Sequence, residues 1–139
     1  MAVVEFLELF EEIKEDPRGF VFFPWQGQAG VQKPQDVLWT FHLVSVAPGE
    51  VRGNHLHPGH REYLFTFQGT GVLTWEEPPG EVRERLLSGH RTLVRIPPGV
   101  AHALRNPGPE MLFLLAWRER VGPESTGPET IFHSLDAGK

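Results

Sequence analysis

Between Val3 and Ile13 the apolar side chains fall at Val3, Phe6, Leu7, Phe10 and Ile13. Steps of three and four are helical, with glutamates on the opposite face. The pattern predicts a short N-terminal helix over 1–16, stopped by Pro17 and Gly19. Beyond it the helical period does not return. Short apolar runs follow, separated by proline and glycine: GFVFFPW, DVLWTFHLVSVAPG, EYLFTFQG, GVLTWEEPPG, EVRERLL, RTLVRIPPG, HALRNPG and MLFLLAWRE. Turn signals between strand-like runs at intervals of about 8–12 residues predict an all-β sandwich or barrel. A loop is expected at GQAGVQKPQ and a tight turn at Gly69-Thr70-Gly71. After Val121 the chain is rich in glycine, proline and serine, so an irregular tail over 121–139 is expected, lying on the barrel or on a neighbouring subunit.

Several strands are apolar on both alternating sets. In 37–46 one set is Val37, Trp39, Phe41 and Leu43, and the other Leu38, His42, Val44 and Val46. Both faces should therefore be covered, one by the barrel interior and one by another layer.

A chain of 139 residues suggests one domain, large enough to need no covalent staple. It has no cysteine, which excludes disulfides and thiolate metal sites; any metal must take nitrogen and oxygen ligands. The net charge of −5 argues against nucleic acid as a partner. Local arginines still allow a small anionic ligand. The acidic, amphipathic start lacks the basic-then-apolar form of a signal peptide. No run approaches the ~20 apolar residues of a membrane helix. A cytoplasmic location is the expectation.

Candidate chemistry concentrates in GEVRGNHLHPGHREYLFTFQG, Gly49 to Gly69. On a strand, residues two apart share a face, so His55 and His57 project together. Pro58-Gly59 turns the chain and Glu62 opens the next strand beside them. Two imidazoles and a carboxylate around one point suit a divalent transition metal such as Zn, Ni, Mn or Fe. In IPPGVAHALRN a turn at Pro98-Gly99 precedes His102, a third imidazole that could complete the set. Any one of these residues alone is an ordinary strand residue; the combination carries the signal.

The spacing Gly49, His55, His57, Glu62, Gly69 resembles the first cupin motif without a gap. Pro97-Pro98-Gly99, His102 and Asn106 resemble most of the second. That motif usually opens on glycine where this chain has Arg91; Gly89 would then supply the turn in a longer loop. The resemblance covers 37–117 and implies a single-domain antiparallel jelly-roll barrel with a metal held by His55, His57, Glu62 and His102. RGNHLHPGH, IPPGVAHALRNPG and the tail resemble the C-terminal cupin domain of bifunctional capsular-polysaccharide enzymes. There the cupin epimerises a nucleotide-linked 4-keto-sugar at C3, and related single-domain cupins are 3,4-ketoisomerases.

The resemblance implies an isomerase or epimerase in polysaccharide biosynthesis, acting on a nucleotide-sugar, and a homodimer. A metal would polarise the keto group while an acid–base residue moves a proton. His42 and Tyr63 are candidates for that residue, and Arg52, Arg61 and Arg105 for binding a diphosphate. Each arginine taken alone reads as a solvated charge. His42 is as readily a core histidine. His60, His90 and His133 read as surface residues, Trp39, Trp75 and Trp117 as core, and Asn54 and Asn106 as structural. Two alternatives remain: a non-haem metal dioxygenase, favoured by a wholly apolar cavity, and a binding cupin without turnover, favoured by a closed barrel.

Overall fold

The computed structural model describes residues 3–9, 13–22, 40–89, 91–122 and 127–135. Trp39 and His90 lie outside them. The described residues form strands and no helix: β1 Glu5–Glu8, β2 Ile13–Asp16, β3 Gly19–Phe22, β4 His42–Val46, β5 Val51–Leu56, β6 His60–Gln68, β7 Thr70–Glu76, β8 Val82–Ser88, β9 Thr92–Ile96, β10 His102–Arg105, β11 Leu112–Arg120 and β12 Ile131–Phe132. Two five-stranded antiparallel sheets face each other, ordered β1-β9-β6-β11-β4 and β12-β5-β10-β7-β8. The all-β sandwich or barrel read from the turn spacing is present, with the antiparallel pairing that the resemblance implies.

The N-terminal helix is not. β1 pairs with β9, matching Phe6 to Val94 and Leu7 to Leu93. Val4 and Phe6 pack into the interior between the sheets, while Leu7 and Leu9 pack on the outer face. The spacing that looks helical is a two-faced strand. Sheet pairing decides the matter: Arg95 donates from Nε and Nη2 to the Glu5 carboxylate, both at 3.0 Å. Ile13 belongs to a hairpin of β2 and β3, whose turn is closed by Arg18 N–H donating to Asp16 Oδ1 at 2.8 Å.

That hairpin, rather than a helix, covers the outer face of the first sheet. Ile13, Phe20 and Phe22 pack there with Tyr63, Phe65, Leu93 and Trp117. The Trp117 ring stacks on Phe41 at 4.7 Å and on Tyr63 at 5.2 Å. The interior core is Val46, Leu64, Leu73, Trp75, Val94, Ile96, Leu104, Leu112 and Leu114 among others. Trp75 and Trp117 are core, as expected.

Among the described residues of the tail most are irregular, but β12 adds to the edge of β5, matching Ile131 to Leu56 and Phe132 to His55. Asn106 is fully buried and structural: its Nδ2 donates to Val46 O at 2.8 Å and to Glu110 O at 2.6 Å. Gly89, at φ 75°, carries the turn between β8 and β9.

Candidate metal centre

Two sheets deliver the cluster from opposite sides. β5 carries His55, with His57 just beyond its end; β10 pairs with it and sets His102 directly opposite His55. β6 of the other sheet supplies Glu62. The two motif turns are tied together, because Gly99 N–H donates to His57 O at 2.9 Å. Gly53 lets β5 approach β10 this closely. Its φ is +107°, and a Cβ there would stand 2.8 Å from His102 O.

The ligand atoms of His55, His57, Glu62 and His102 all lie within 4.8 Å of one another. His57, Glu62 and His102 are buried and His55 is half-buried. His102 Nδ1 is 3.0 Å from Val100 O, and His57 Nδ1 is 3.3 Å from Glu129 O. A carbonyl only accepts, so each Nδ1 carries the hydrogen, and each Nε2 of a neutral ring presents a lone pair. Those lone pairs face a carboxylate: His102 Nε2 is 2.9 Å from Glu62 Oε1, and His57 Nε2 is 3.0 Å from Glu62 Oε2. Acceptors at such distances repel unless a proton or a cation lies between them. His57 Nε2, although close, makes no directed hydrogen bond and is a buried orphan. A buried donor set of this kind fits a divalent metal held by nitrogen and oxygen.

Electrostatics agree with that fit. Burial, helped by the neighbouring His102 and His57, lowers the His55 pKa from 6.5 to about 4, so its ring is neutral and a donor at neutral pH. Burial raises the Glu62 pKa, but when the facing Nε2 atoms of His102 and His57 carry protons their hydrogen bonds and charge outweigh it and hold the carboxyl below its usual range; a cation in place of those protons acts with the same sign. Glu62 is therefore ionised, and leaving it unpaired in the interior would cost several kcal/mol.

A cavity of about 170 Å³ opens beside the cluster. His55, Glu62 and His102 line it together with His42, Arg52 and Arg118, and the remaining wall is largely Val44, Val46, Leu64, Leu104, Leu114 and Ala116. His42 Nδ1 lies 2.5 Å from Thr40 O and donates to it, which directs the Nε2 lone pair away from that carbonyl. Arg52 also reaches the cavity, with its Nε donating to Ser45 O at 2.7 Å.

Three proposed site residues are not brought to the cavity. Tyr63 follows Glu62 on one strand and so points to the opposite face, where its hydroxyl donates to Glu119 at 3.0 Å. Arg61 joins it, 3.4 Å from the same carboxylate. Arg105 follows the inward-facing Leu104 and is absent from the cavity wall. His60 is half-buried at the start of β6, and His133 pairs with Glu76 at 3.0 Å.

One residue was missed from sequence. Arg118 pairs with Glu62 across β11 and β6, with Nε 3.3 Å from Oε2 and Nη1 2.7 Å from Glu129 Oε1. The signal was available: Leu114 and Ala116 face inward, and strand alternation puts Arg118 with them.

Comparison with solved structures agrees with this architecture. The capsular polysaccharide assembling protein CapF from Staphylococcus aureus superposes with a TM-score of 0.59 at 26% identity, over 68% of this chain and 26% of that one. The chain thus spans about a quarter of that protein. QdtA, a 3,4-ketoisomerase from Thermoanaerobacterium thermosaccharolyticum solved with TDP-4-keto-6-deoxyglucose, superposes at 0.71 and 17% identity, over 97% of this chain and 90% of its own. A dTDP sugar isomerase from Desulfovibrio desulfuricans gives 0.73 at 17% identity, over 96% and 85%. At such identities these two likenesses speak to the fold. No curated protein sequence matches the chain. The family model of the cupin domain matches residues 42–118, from the start of β4 into β11, and includes all four clustered residues. With that match the chain belongs to the cupin family.

Proposed function

We propose that this cupin is a metal-dependent isomerase or epimerase acting on a nucleotide-linked 4-keto-deoxy sugar in polysaccharide biosynthesis. One observation carries the reading: His42, three members of the cluster (His55, Glu62 and His102) and two arginines, Arg52 and Arg118, line a single cavity. The likeness to CapF and to ketoisomerases supports the substrate class. His55, His57, Glu62 and His102 would hold the metal. A divalent cation held there would supply Lewis acidity toward a keto oxygen. His42 Nε2 takes the proton from the carbon beside the keto group. For the epimer, a second acid on the opposite face delivers a proton to that carbon; for the ketoisomer, the proton from His42 goes to the former keto carbon, while the hydroxyl proton of the first carbon moves to the former keto oxygen. Arg118 donates to sugar oxygens beside Glu62. Arg52, partly exposed, receives the diphosphate.

The test is proton NMR of TDP-4-keto-6-deoxyglucose with metal-loaded protein in D2O. The signal of the C3 proton should disappear. His42→Asn should slow the exchange roughly 10²–10⁴-fold, the usual worth of a general acid–base group, with metal content unchanged. Absence of exchange with every metal, together with oxygen uptake by the iron-loaded protein, would favour a dioxygenase of a small organic substrate instead. The apolar part of the wall, Val44, Leu64, Leu104 and Leu114, is what supports that second reading.

A further inference from the structure

The C-terminal residues 129–135 do more than cover an edge. They pair with the strand that bears His55, and they touch His57, just beyond the end of that strand, directly. Glu129 O lies 3.3 Å from His57 Nδ1, and Thr130 Oγ1 lies 3.1 Å from the same nitrogen. β12 then pairs along β5, setting Phe132 opposite His55. The far end is clasped by Asn54, the residue before His55. Its carbonyl accepts from His133 N–H at 2.7 Å, and its Oδ1 accepts from Leu135 N–H at 3.0 Å. Asn54 sits at φ 57°, the left-handed region, which asparagine tolerates better than most residues. The same segment also meets Arg118, whose Nη1 lies 2.7 Å from Glu129 Oε1 while its Nε stays 3.3 Å from Glu62 Oε2.

We propose that this segment is a working part of the metal centre: Thr130 and the main chain of Glu129 are positioning residues that lock His57 as an Nε2 donor. The proposal rests on the reading of the cluster as a metal site. The physical basis is general. An imidazole ligand that gives its other N–H to a fixed acceptor has its ring orientation and tautomer set before the metal arrives, and loss of such a partner typically weakens binding about 10–100-fold. Here two acceptors meet one Nδ1, so loss of one of them belongs at the lower end.

The test uses the full chain and zinc as probe. Zinc affinity is measured by competition with a chelator for the wild type, Thr130→Val, Thr130→Ser and Asn54→Gly. Thr130→Val should raise the dissociation constant roughly tenfold, and Thr130→Ser, which keeps the hydroxyl, should restore it. Asn54→Gly keeps the left-handed backbone and the main-chain bond from His133 but loses the side-chain bond from Leu135, and should weaken zinc binding measurably, by less than roughly tenfold, even if Thr130→Val does not fold. Variants that bind zinc as tightly as the wild type would overturn the proposal. A second measurement does not need metal. Nitrogen NMR of the metal-free wild type should find neutral His57 with its hydrogen on Nδ1; a hydrogen on Nε2 would overturn the proposal. If the wild type takes no zinc while His57 has the expected tautomer, the metal reading fails and the positioning claim stands.

Discussion

His102→Ala should reduce zinc affinity by more than about 100-fold, beyond the upper end of what losing an outer hydrogen bond costs. His102 is the only one of the four clustered ligands contributed by the second motif; the others come from residues 55–62. Without it, two imidazoles and a carboxylate remain, and Glu62 Oε1 loses its neighbour at 2.9 Å. The barrel should survive, because Trp75, opposite His102 on β7, still fills the interior. Competition titration with a chelator reads the affinity, and circular dichroism checks the fold. A His102→Ala variant that folds and binds zinc as the wild type does would remove this residue from the centre.

Gly53→Ala should lower the melting temperature by about 10 °C. The positive φ costs an L-residue roughly 1–3 kcal/mol. The added Cβ would also stand 2.8 Å from His102 O and 2.9 Å from Ala103 Cα. Both atoms are backbone of β10, so no flexible side chain can give way, and such overpacking costs a further ~1–3 kcal/mol. A total near 3–4 kcal/mol, at roughly 3 °C per kcal/mol for a domain of this size, gives the expected shift. The damage falls at the bulge between His102 and Ala103, so zinc affinity should fall as well. Gly59 is the control: a Cβ there meets nothing within 4 Å, and Gly59→Ala should melt as the wild type does. Equal melting of the two variants would show that the close approach at Gly53 is not needed.

The barrel and the clustering of His55, His57, Glu62 and His102 were legible because both are written in strand alternation. His55 lies two residues from His57, and prolines and glycines mark the turns that bring Glu62 and His102 alongside. The N-terminus misled for a physical reason. A strand buried on both faces, with Val4 and Phe6 inward and Leu7 and Leu9 outward, shares the three-and-four spacing of a helix. What separates the two is pairing with β9, distant in sequence. Tyr63 could have been set aside without coordinates, since it cannot share a face with Glu62 on one strand. The contact of the tail with His57 could not be read, because one of its two acceptors is a main-chain oxygen that any residue would supply.

The central claim is that three imidazole nitrogens and one carboxylate form a metal centre. The most direct measurement is metal analysis of the purified protein, followed by X-ray absorption at the edge of the metal found. The account predicts one divalent transition metal per chain, with three nitrogen ligands from histidine and at least one oxygen ligand. Protein that takes up no zinc, nickel, manganese or iron, or a bound metal whose spectrum lacks imidazole, would contradict it.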